Sequence, residues 1–538
     1  MKKKHLLAMA FSAMLAFGLC ACGNTGNSTT SQAAGEDATT LHLINNKKDA
    51  FLYVENPMYN RCLNFNDHLW RSLLIMEPNM TDLKGDLAES WEAKDATHYT
   101  FTLKDVKWSD GSKLTGDDVA FTFALLLKAN PVNSNMKKAA SAIKGADAVL
   151  DGSADELSGI TVDGNTIAIE LAKPFADFEA VCSQIPVMPK EALKDADPLE
   201  IQKDDYFKNP ITDGEYKVKE LNPNNFMTLE LNENFEGTKP AFDSVVINHL
   251  EDPIAAAQSG QVDFWVTNKP EEISEFGALK NFSDFTGNSI YYRYLVVNYL
   301  NENGEATGPL AKPEVRQALM YAIDRNAIVD AYFKGFGVAD TSGVAPTNVN
   351  YNKDQNTYNF DTNKAHKMLE DAGFDFDQTL KIRYYYGDQT SINVMEAIGS
   401  MLGDAGVKCD VRKFENDGTT ELWQIRDYDL ALKGLGALTL SEWYNEYTND
   451  NYAKVIGEIN PEFKGLIESY NTTVDKDARK DILNKLQTTE QDYFYKMPLY
   501  SVNNETFVNT DKVQLPEDIE FANPFCYYNT RFDEWKTK

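Results

Sequence analysis

Histidine, cysteine and positive charge are all scarce in this chain of 538 residues, and each shortage excludes a class of site. With six histidines and six cysteines, and no CxxC spacing among the cysteines beyond residue 35, we expect neither a zinc nor a redox centre. Lysine and arginine number 52 against 82 acidic residues, and the net charge of −30 repels nucleic acid. The absence of G-x-S-x-G, G-x-x-x-x-G-K-[ST] and H-E-x-x-H motifs predicts a protein that is not an enzyme and needs no cofactor.

The few residues that suit catalysis or metal binding have simpler structural explanations. The histidines beyond residue 35 show no pair at metal-ligand spacing, and each is predicted to be a surface or core residue. They are His42, His68, His98, His249 and His366. Adjacent carboxylates such as Asp117 and Asp118 could serve a glycosidase, but an acidic chain contains such pairs by chance, and helix capping explains them better.

The N-terminus has the features of an export signal. Three lysines precede an apolar run over 6–18 that is too short to span a membrane stably. Residues 19–23 resemble the cleavage site of a bacterial lipoprotein, in which Cys22 follows a small residue and receives the lipid. That resemblance implies removal of residues 1–21 and a diacylglycerol anchor, because two acyl chains hold a protein at a membrane where one does not. Ordinary secretion with cleavage near Ala21 is the alternative.

A tether and a large folded body follow this signal. Residues 22–35 contain no large apolar side chain beyond the cysteine, which is typical of a flexible linker. The remaining sequence is too long for one compact core, so we expect two or three domains. Aromatic residues make up 12% of the chain, which indicates that the body folds. Its four cysteines allow three pairings, between which the sequence does not choose: Cys62, Cys182, Cys409 and Cys526.

Local patterns place individual elements. Tyr99, Phe101 and Leu103 alternate with threonines, which predicts a half-buried strand. Thr115 and Asp118 have capping spacing and predict the start of a helix, and Pro313 can open another helix with one buried stripe. Between about 290 and 500 the signals alternate. They predict strands over 380–386, 407–411 and 428–432 and a helix over 394–405, which together indicate an α/β domain with a βαβ unit.

Seven segments, taken in order, carry a resemblance to a known family. They are LAESW at 87–91, YTFTL at 99–103, VKWSDG at 106–111, LTGDDV at 114–119, DGEYKV at 213–218, AAAQSGQVD at 255–263 and VRQALMYAIDR at 315–325. Their order and spacing resemble the family 5 extracellular solute-binding proteins, the peptide-, dipeptide- and nickel-binding family of ABC importers. Arg316, in the last segment, is predicted to be structural.

The resemblance implies an α/β, two-lobed, three-domain fold of the periplasmic-binding-protein-like class II type, with mixed β-sheets, that closes on a solute. Two chain crossings near residues 290 and 502 would form the hinge. The expected domains are an outer-lobe domain I in 36–70, 200–292 and 502–538, a strand-rich insertion domain II in 71–199, and an opposing α/β lobe, domain III, in 293–501.

The ligand site is predicted around one strand and its following loop. In many peptide-binding relatives, an aspartate after a glycine-ended strand pairs with the ammonium group of the peptide. Residues 427–437 resemble that strand, but Leu438 stands where the aspartate is expected. Glu442 could supply the carboxylate instead; the alternatives are that Glu442 is an ordinary surface residue or that the ammonium group is not recognised in this way. Aromatic side chains suit both peptides and sugars, although core packing is the alternative role for each. The candidate ligand-binding residues are Trp265, Tyr292, Arg293, Trp423, Glu442, Trp443 and Tyr444.

The sequence therefore predicts a monomeric receptor, lipid-anchored at the outer side of the bacterial cell membrane, that captures a small solute and delivers it to a permease. ATP hydrolysis would belong to separate subunits. A peptide is the favoured ligand; the aromatic loop near Trp443 and the missing aspartate favour oligosaccharides as the alternative. A secreted hydrolase and an inert surface adhesin are the alternatives from other classes. We expect no metal, no cofactor and no nucleic-acid partner.

Overall fold

The computed structural model describes four stretches of the chain, residues 39–47, 50–59, 65–521 and 532–538. The predicted signal peptide and tether, with Cys22, lie outside the described residues, as do Cys62 and Cys526. The two described cysteines, Cys182 and Cys409, are free thiols, so they do not pair with each other. Within the same stretches, no helix combines the length and the apolar composition that crossing a bilayer requires.

Strands are spread along the whole described chain. Numbered in chain order, they are β1 (Thr40–Asn45), β2 (Leu74–Met76), β3 (Leu83–Gly85), β4 (Ala88–Asp95), β5 (His98–Leu103), β6 (Ile160–Asp163), β7 (Thr166–Glu170), β8 (Tyr216–Asn222), β9 (Phe226–Leu231), β10 (Ser244–His249), β11 (Phe264–Thr267), β12 (Phe282–Val297), β13 (Gly337–Ala339), β14 (Thr379–Tyr384), β15 (Lys408–Lys413), β16 (Leu430–Gly436), β17 (Lys496–Asn509), β18 (Val513–Gln514) and β19 (Lys536–Thr537).

Helices are most frequent in the second half. They are α1 (Gly116–Lys128), α2 (Ser134–Ala142), α3 (Ala146–Leu150), α4 (Phe178–Cys182), α5 (Lys190–Leu193), α6 (Pro253–Gln258), α7 (Pro270–Phe276), α8 (Pro313–Ala322), α9 (Arg325–Tyr332), α10 (Thr362–Asp371), α11 (Gln389–Asp404), α12 (Gly418–Thr420), α13 (Leu440–Asn445), α14 (Asp450–Ile456), α15 (Pro461–Thr472) and α16 (Lys476–Tyr493).

Three larger sheets organise these strands. One is four-stranded in the order β1-β10-β9-β8, with β1 parallel to β10 and the other pairs antiparallel. The second is antiparallel in the order β4-β5-β7-β6. The third is seven-stranded and mixed, in the order β11-β17-β12-β16-β14-β15 with β13 beside β17. Two mixed sheets and one antiparallel sheet, combined with helices, confirm the predicted α/β class.

The predicted local signals are present in the structure. Burial alternates along β5 as expected. A capping box begins α1, because the backbone N–H of Thr115 donates to Asp118 Oδ2 at 2.8 Å. Pro313 is the first residue of α8, and the predicted stripe on that helix is buried. Arg316 is structural, since its Nε donates to the Tyr493 carbonyl at 2.6 Å and its Nη1 donates to the Leu310 carbonyl at 2.6 Å.

The predicted βαβ unit consists of β14, α11 and β15. β14 pairs with β15 in parallel, and α11 connects them. Gly406 follows the helix with a φ of +89°, a left-handed conformation that favours glycine and ends the helix. The structure therefore contains the βαβ unit that the short connections predicted.

Two long strands connect the parts of the seven-stranded sheet. β12 has 16 residues and β17 has 14, and the two pair antiparallel over most of their length. Tyr291 lies opposite Val502, so the two predicted chain crossings are direct neighbours in the sheet. The register shifts between Gly287 and Tyr291. β17 is buried along nearly its whole length.

Candidate ligand-binding site

The candidate site lies at the carboxyl ends of β14 and β16. β14 is parallel to both of its neighbours, β15 and β16. The chain leaves β14 through α11 to β15 on one side and returns to form β16 on the other side. In open α/β sheets, a crevice that binds ligands forms beyond the carboxyl ends of strands at such a change of direction. At this edge, Tyr385 and Tyr386 follow β14, and residues 437–438 follow β16.

Arg293 faces this edge from β12. It lies opposite Gly434 of β16 and Tyr500 of β17, and its guanidinium carbon is 5.2 Å from the centroid of the Tyr386 ring. A Cβ atom at Gly434 would lie 2.5 Å from the Tyr386 hydroxyl and 2.7 Å from Arg293 Nη1. The absence of a side chain at Gly434 therefore makes room for the arginine and the tyrosine.

The guanidinium of Arg293 forms few polar contacts with the described part of the protein. Its Nη1 donates to the carbonyl of Tyr292 at 3.1 Å. Arg293 forms no ion pair within the described stretches, where the arginines that do so are Arg71, Arg383, Arg412 and Arg479. An arginine that is half-buried without an acidic partner is suited to a carboxylate from a ligand.

Two tyrosines near Arg293, Tyr385 and Tyr500, have raised pKa values, which favour the protonated hydroxyl. The Tyr385 hydroxyl donates to the Tyr386 hydroxyl at 3.0 Å. Burial raises the pKa of Tyr385, Tyr386 adds to the effect, and Arg293 acts in the opposite direction. Burial also raises the pKa of Tyr500. The edge therefore places the Arg293 guanidinium beside tyrosine hydroxyl groups that can form hydrogen bonds.

Glu442 caps a helix beside this edge. Thr439 is the N-cap residue of α13, and Glu442 Oε1 accepts hydrogen bonds from the backbone N–H groups of Leu438 at 2.8 Å and Thr439 at 3.2 Å. Its Oε2 accepts a hydrogen bond from Asn135 Nδ2 at 3.1 Å. Burial raises the pKa of Glu442, whereas these hydrogen bonds lower it. The spacing of Thr439 and Glu442 is that of a capping box, which the sequence could have indicated. A contact between Glu442 and the ligand stays a prediction.

Trp443, Tyr444 and Tyr292 pack behind the sheet. Trp443 is fully buried, and its indole N–H donates to Glu490 Oε1 at 2.7 Å. The Tyr292 ring lies 4.6 Å from the Trp443 ring, and its hydroxyl donates to the Gly343 carbonyl at 2.7 Å. Tyr444 is also fully buried. Because Tyr292 and Arg293 are successive residues of one strand, their side chains point to opposite faces of the sheet.

Trp443 and neighbouring tyrosines surround an internal cation that the sequence did not indicate. The ammonium of Lys496 lies 3.7 Å from the Trp443 ring centroid and 4.3 Å from that of Tyr447. It donates to the Trp443 carbonyl at 2.6 Å and to Glu446 Oε2 at 3.2 Å. Burial lowers the pKa of Lys496 to about 8, although Glu446 and Glu490 oppose the shift. The cation–π contacts and the carboxylates thus hold a charge within the core.

Trp265 and Trp423 lie in two other packing environments. Trp265 lies on β11, donates its indole N–H to Glu272 Oε2 at 3.0 Å and packs near Phe276 in a small separate hydrophobic cluster. Trp423 is part of a π-helical turn, Glu421–Ile425, and its ring lies 5.1 Å from that of Tyr452. Of the predicted site residues, the structure brings Arg293 and Glu442 to the candidate edge. Tyr385 and Tyr386 were not among the predicted residues, although their position at the end of a predicted βαβ strand could have indicated them.

Histidines and acidic residues do not converge on a metal site in the described stretches, where no group of three or more His, Cys, Asp or Glu side chains could hold a metal ion. His68 is buried, and its Nδ1 lies 3.1 Å from Glu215 Oε2. His98 and His366 are exposed.

Comparisons with known proteins agree with this architecture. The family model for bacterial extracellular solute-binding proteins, family 5 (middle region), matches residues 82–452. A Brucella ovis protein assigned by name to the peptide-binding proteins of ABC transporters is 29% identical over 350 residues, which span 62% of this chain and only 61% of that protein. The oligopeptide-binding protein OppA of Bacillus subtilis is 25% identical over 532 residues, 93% of this chain and 94% of OppA.

A solved structure extends the comparison to the fold. The ABC transporter substrate-binding protein CtaP of Listeria monocytogenes superimposes with a TM-score of 0.76 at 23% identity, covering 93% of this chain and 99% of CtaP. The chain thus has the two-lobed, mixed α/β fold of periplasmic binding proteins. Because the family model covers well over half of the chain, this protein belongs to the bacterial extracellular solute-binding proteins of family 5.

Proposed function

We propose that this chain is the substrate-binding subunit of an ABC importer, that it captures a peptide between two lobes outside the cytoplasm and that it delivers the peptide to a permease with separate ATPase subunits. A lipid on Cys22 would anchor it to the bacterial membrane as a monomer. One observation carries the peptide proposal. Arg293 has no acidic partner in the described stretches and lies beside Tyr385 and Tyr386, at the carboxyl ends of β14 and β16. Ligands bind at such positions in open α/β sheets. The names of the Brucella ovis and Bacillus subtilis relatives support a peptide ligand.

In this proposal, the predicted domains I and II form one lobe and domain III, residues 293–501, forms the other. β12 and β17 connect the lobes and act as the hinge, because they carry the chain across the predicted boundaries at neighbouring positions. A ligand closes such a hinge only through its greater affinity for the closed form.

The chemistry at the edge favours a peptide over a sugar. The planar guanidinium of Arg293 can form two parallel hydrogen bonds with a carboxylate, and a peptide has such a group at its C-terminus. The ring of Tyr386 and the neighbouring Tyr385 suit an apolar side chain. A neutral oligosaccharide could stack on the same rings but offers no charge to Arg293.

A paired peptide library tests the proposal. Defined tetrapeptides would be compared with the same peptides amidated at the C-terminus and with neutral oligosaccharides, using thermal unfolding and calorimetric titration. We expect free-acid peptides to stabilise the protein and amidation to weaken binding by about 10- to 100-fold, the effect of removing a charged hydrogen bond. Arg293→Gln should remove that difference, because both forms of the peptide would then bind equally weakly.

The exposed arginine variant Arg412→Gln is the matched control, and it should bind like the wild type. Stabilisation by oligosaccharides alone would transfer the proposal to a sugar ligand. Turnover of a bound peptide would support a hydrolase instead.

A further inference from the structure

A buried ion pair joins two segments that are far apart in sequence. Asp177, next to α4, meets Arg479 of α16 through its Oδ1, and the side chains are only 6% and 22% exposed. The other carboxylate oxygen of Asp177 accepts a hydrogen bond from the Thr439 hydroxyl at 2.7 Å. Arg479 Nη2 also donates to the Ser441 hydroxyl at 2.9 Å, and its guanidinium carbon lies 4.3 Å from the Tyr470 ring centroid.

The pair is the centre of a polar contact between residues 71–199 and residues 293–501. The Ala176 N–H donates to the carbonyl of Asn471 at 2.9 Å. Asn135 donates to Glu442, as described above. An exposed pair crosses the same contact, because Lys476 Nζ lies 3.1 Å from Asp82 Oδ1, with side chains 82% and 54% exposed. Buried and exposed ion pairs therefore join the same two segments.

The contact also adjoins the candidate ligand site. Thr439 and Ser441 belong to the first turn of α13, which directly follows residues 437–438 at the strand edge. Asp177 binds Thr439 and Arg479 binds Ser441, so the pair fixes that turn and the loop before it. A polar contact of this kind is also reversible, since its groups regain water when the segments separate, whereas an apolar interface would resist opening.

We propose that Asp177 and Arg479 form a clasp that holds the two lobes closed and positions the α13 turn beside the ligand. The proposal depends on the two-lobed closure in the proposed function. The two residues are positioning residues: they act on the ligand through the geometry of the closed state. The clasp should therefore slow ligand release more than it speeds ligand capture, because it forms only after the lobes have met.

Substitutions at the clasp are compared with a substitution at the exposed pair. Asp177→Asn, Arg479→Gln and the double variant would be measured by small-angle scattering without ligand and by stopped-flow kinetics with the free-acid tetrapeptide set. Lys476→Gln is the matched control across the same contact. We expect each single clasp variant to have a larger radius of gyration than the wild type and about a tenfold faster release rate, with an association rate within about threefold of the wild type.

The double variant provides a second signature. Because either single variant leaves one buried charge unpaired, we expect the double variant to be less than additive in both measurements, while Lys476→Gln remains like the wild type. Arg479→Lys keeps the charge but loses the planar fork, and it replaces Asp177→Asn should that variant not fold.

The outcomes separate this proposal from the function it depends on. Clasp variants that match the wild type in radius of gyration and in release rate would overturn the clasp, and peptide binding by all of them would leave the proposed function intact. Expanded clasp variants of a protein that binds no peptide would support the clasp and contradict the peptide proposal. An expansion of Lys476→Gln equal to that of Asp177→Asn would also overturn the clasp, since it would show a general weakening of the contact.

Discussion

Gly343 lies so close to Trp443 that no side chain fits between them. An added Cβ would be 2.0 Å from the indole Cδ1 and 2.3 Å from Nε1. The indole is unable to move away, because Glu490 accepts its N–H and the Lys496 ammonium lies over its ring. Glycine is therefore required here by packing, and the position holds both the tryptophan and the internal cation in place.

We expect Gly343→Ala to lower the free energy of unfolding by about 1–3 kcal/mol, which is typical of overpacking in a close-packed core. Gly465→Ala is the matched control. It lies inside α15, where an added Cβ has no atom within 4 Å, so it should raise the free energy of unfolding by about 0.5–1 kcal/mol. Urea titration followed by circular dichroism measures both. A Gly343→Ala protein as stable as the wild type would show that the indole can shift.

The same tryptophan shows the limit of prediction at this scale. Its residue type suits a ligand cation or ring, and the sequence contains no sign that Lys496, 53 positions away, occupies its ring face. Arg293 was identified from its place near a predicted crossing, whereas its lack of an acidic partner in the described stretches required the positions of its neighbours on β16 and β17. The chemical character of each residue was therefore predictable, but the partners that it contacts in the folded chain were not.

Short elements are determined by residues close together in sequence. Asp118 accepts two backbone hydrogen bonds: its Oδ2 accepts the Thr115 N–H at 2.8 Å, and its Oδ1 accepts the backbone N–H of Lys190 at 2.9 Å. The first bond belongs to the capping box that the sequence predicted for α1. The second links α1 to the start of α5, 72 residues later, and local spacing gives no sign of it.

We expect Asp118→Ala to lower the free energy of unfolding by about 1–3 kcal/mol, because it removes a helix cap and leaves the partly buried Lys190 N–H without its acceptor. Asp117→Ala, an exposed change in the same helical turn, should cost less than about 0.5 kcal/mol. Chemical denaturation compares them. Equal effects at the two positions would mean that negative charge at the helix start matters and the hydrogen bonds do not.

In the sheets, too, units with short connections were predictable, whereas pairings between strands far apart in the sequence were not. The unit of β14, α11 and β15 was predictable because its connections are short and its periodicity changes at each boundary. The order of the seven-stranded sheet was not, since β11 pairs with β17 through residues such as Phe264 and Val508 that are more than 200 positions apart. Register over such a distance depends on which faces are buried, which is a property of the folded chain.

Across the whole molecule, the family resemblance predicted what local patterns did not. Order and spacing of the seven segments indicated the two-lobed fold, which the comparisons confirm. The exact domain boundaries and the hinge stay predictions, although the crossings at 290 and 502 lie side by side. The Asp177–Arg479 pair could not be predicted, because 302 positions separate its members and neither belongs to a motif.

The proposed membrane attachment concerns the whole molecule, and the net charge of the chain bears on how it could be held there. With a formal charge of −30, the chain is repelled by anionic lipid surfaces, so electrostatic attraction would not hold it there. The proposed anchor is the lipid on Cys22, in which each buried CH₂ contributes about 0.8 kcal/mol and two acyl chains are needed for stable attachment.

Cys22→Ser is therefore expected to move the protein from the membrane fraction to the soluble fraction outside the cytoplasm, without changing peptide affinity. Cys20→Ser is the matched control, since it lies in the same segment but precedes the expected cleavage site, and it should remain membrane-bound. Fractionation with immunoblotting gives the distribution, and mass spectrometry of the N-terminal peptide shows whether a diacylglycerol adduct is present. Release of the wild type to the same extent as Cys22→Ser, with an unmodified N-terminus near residue 22, would instead establish ordinary secretion. The receptor would then reach its permease by diffusion, and lipid attachment would have no part in keeping the two together.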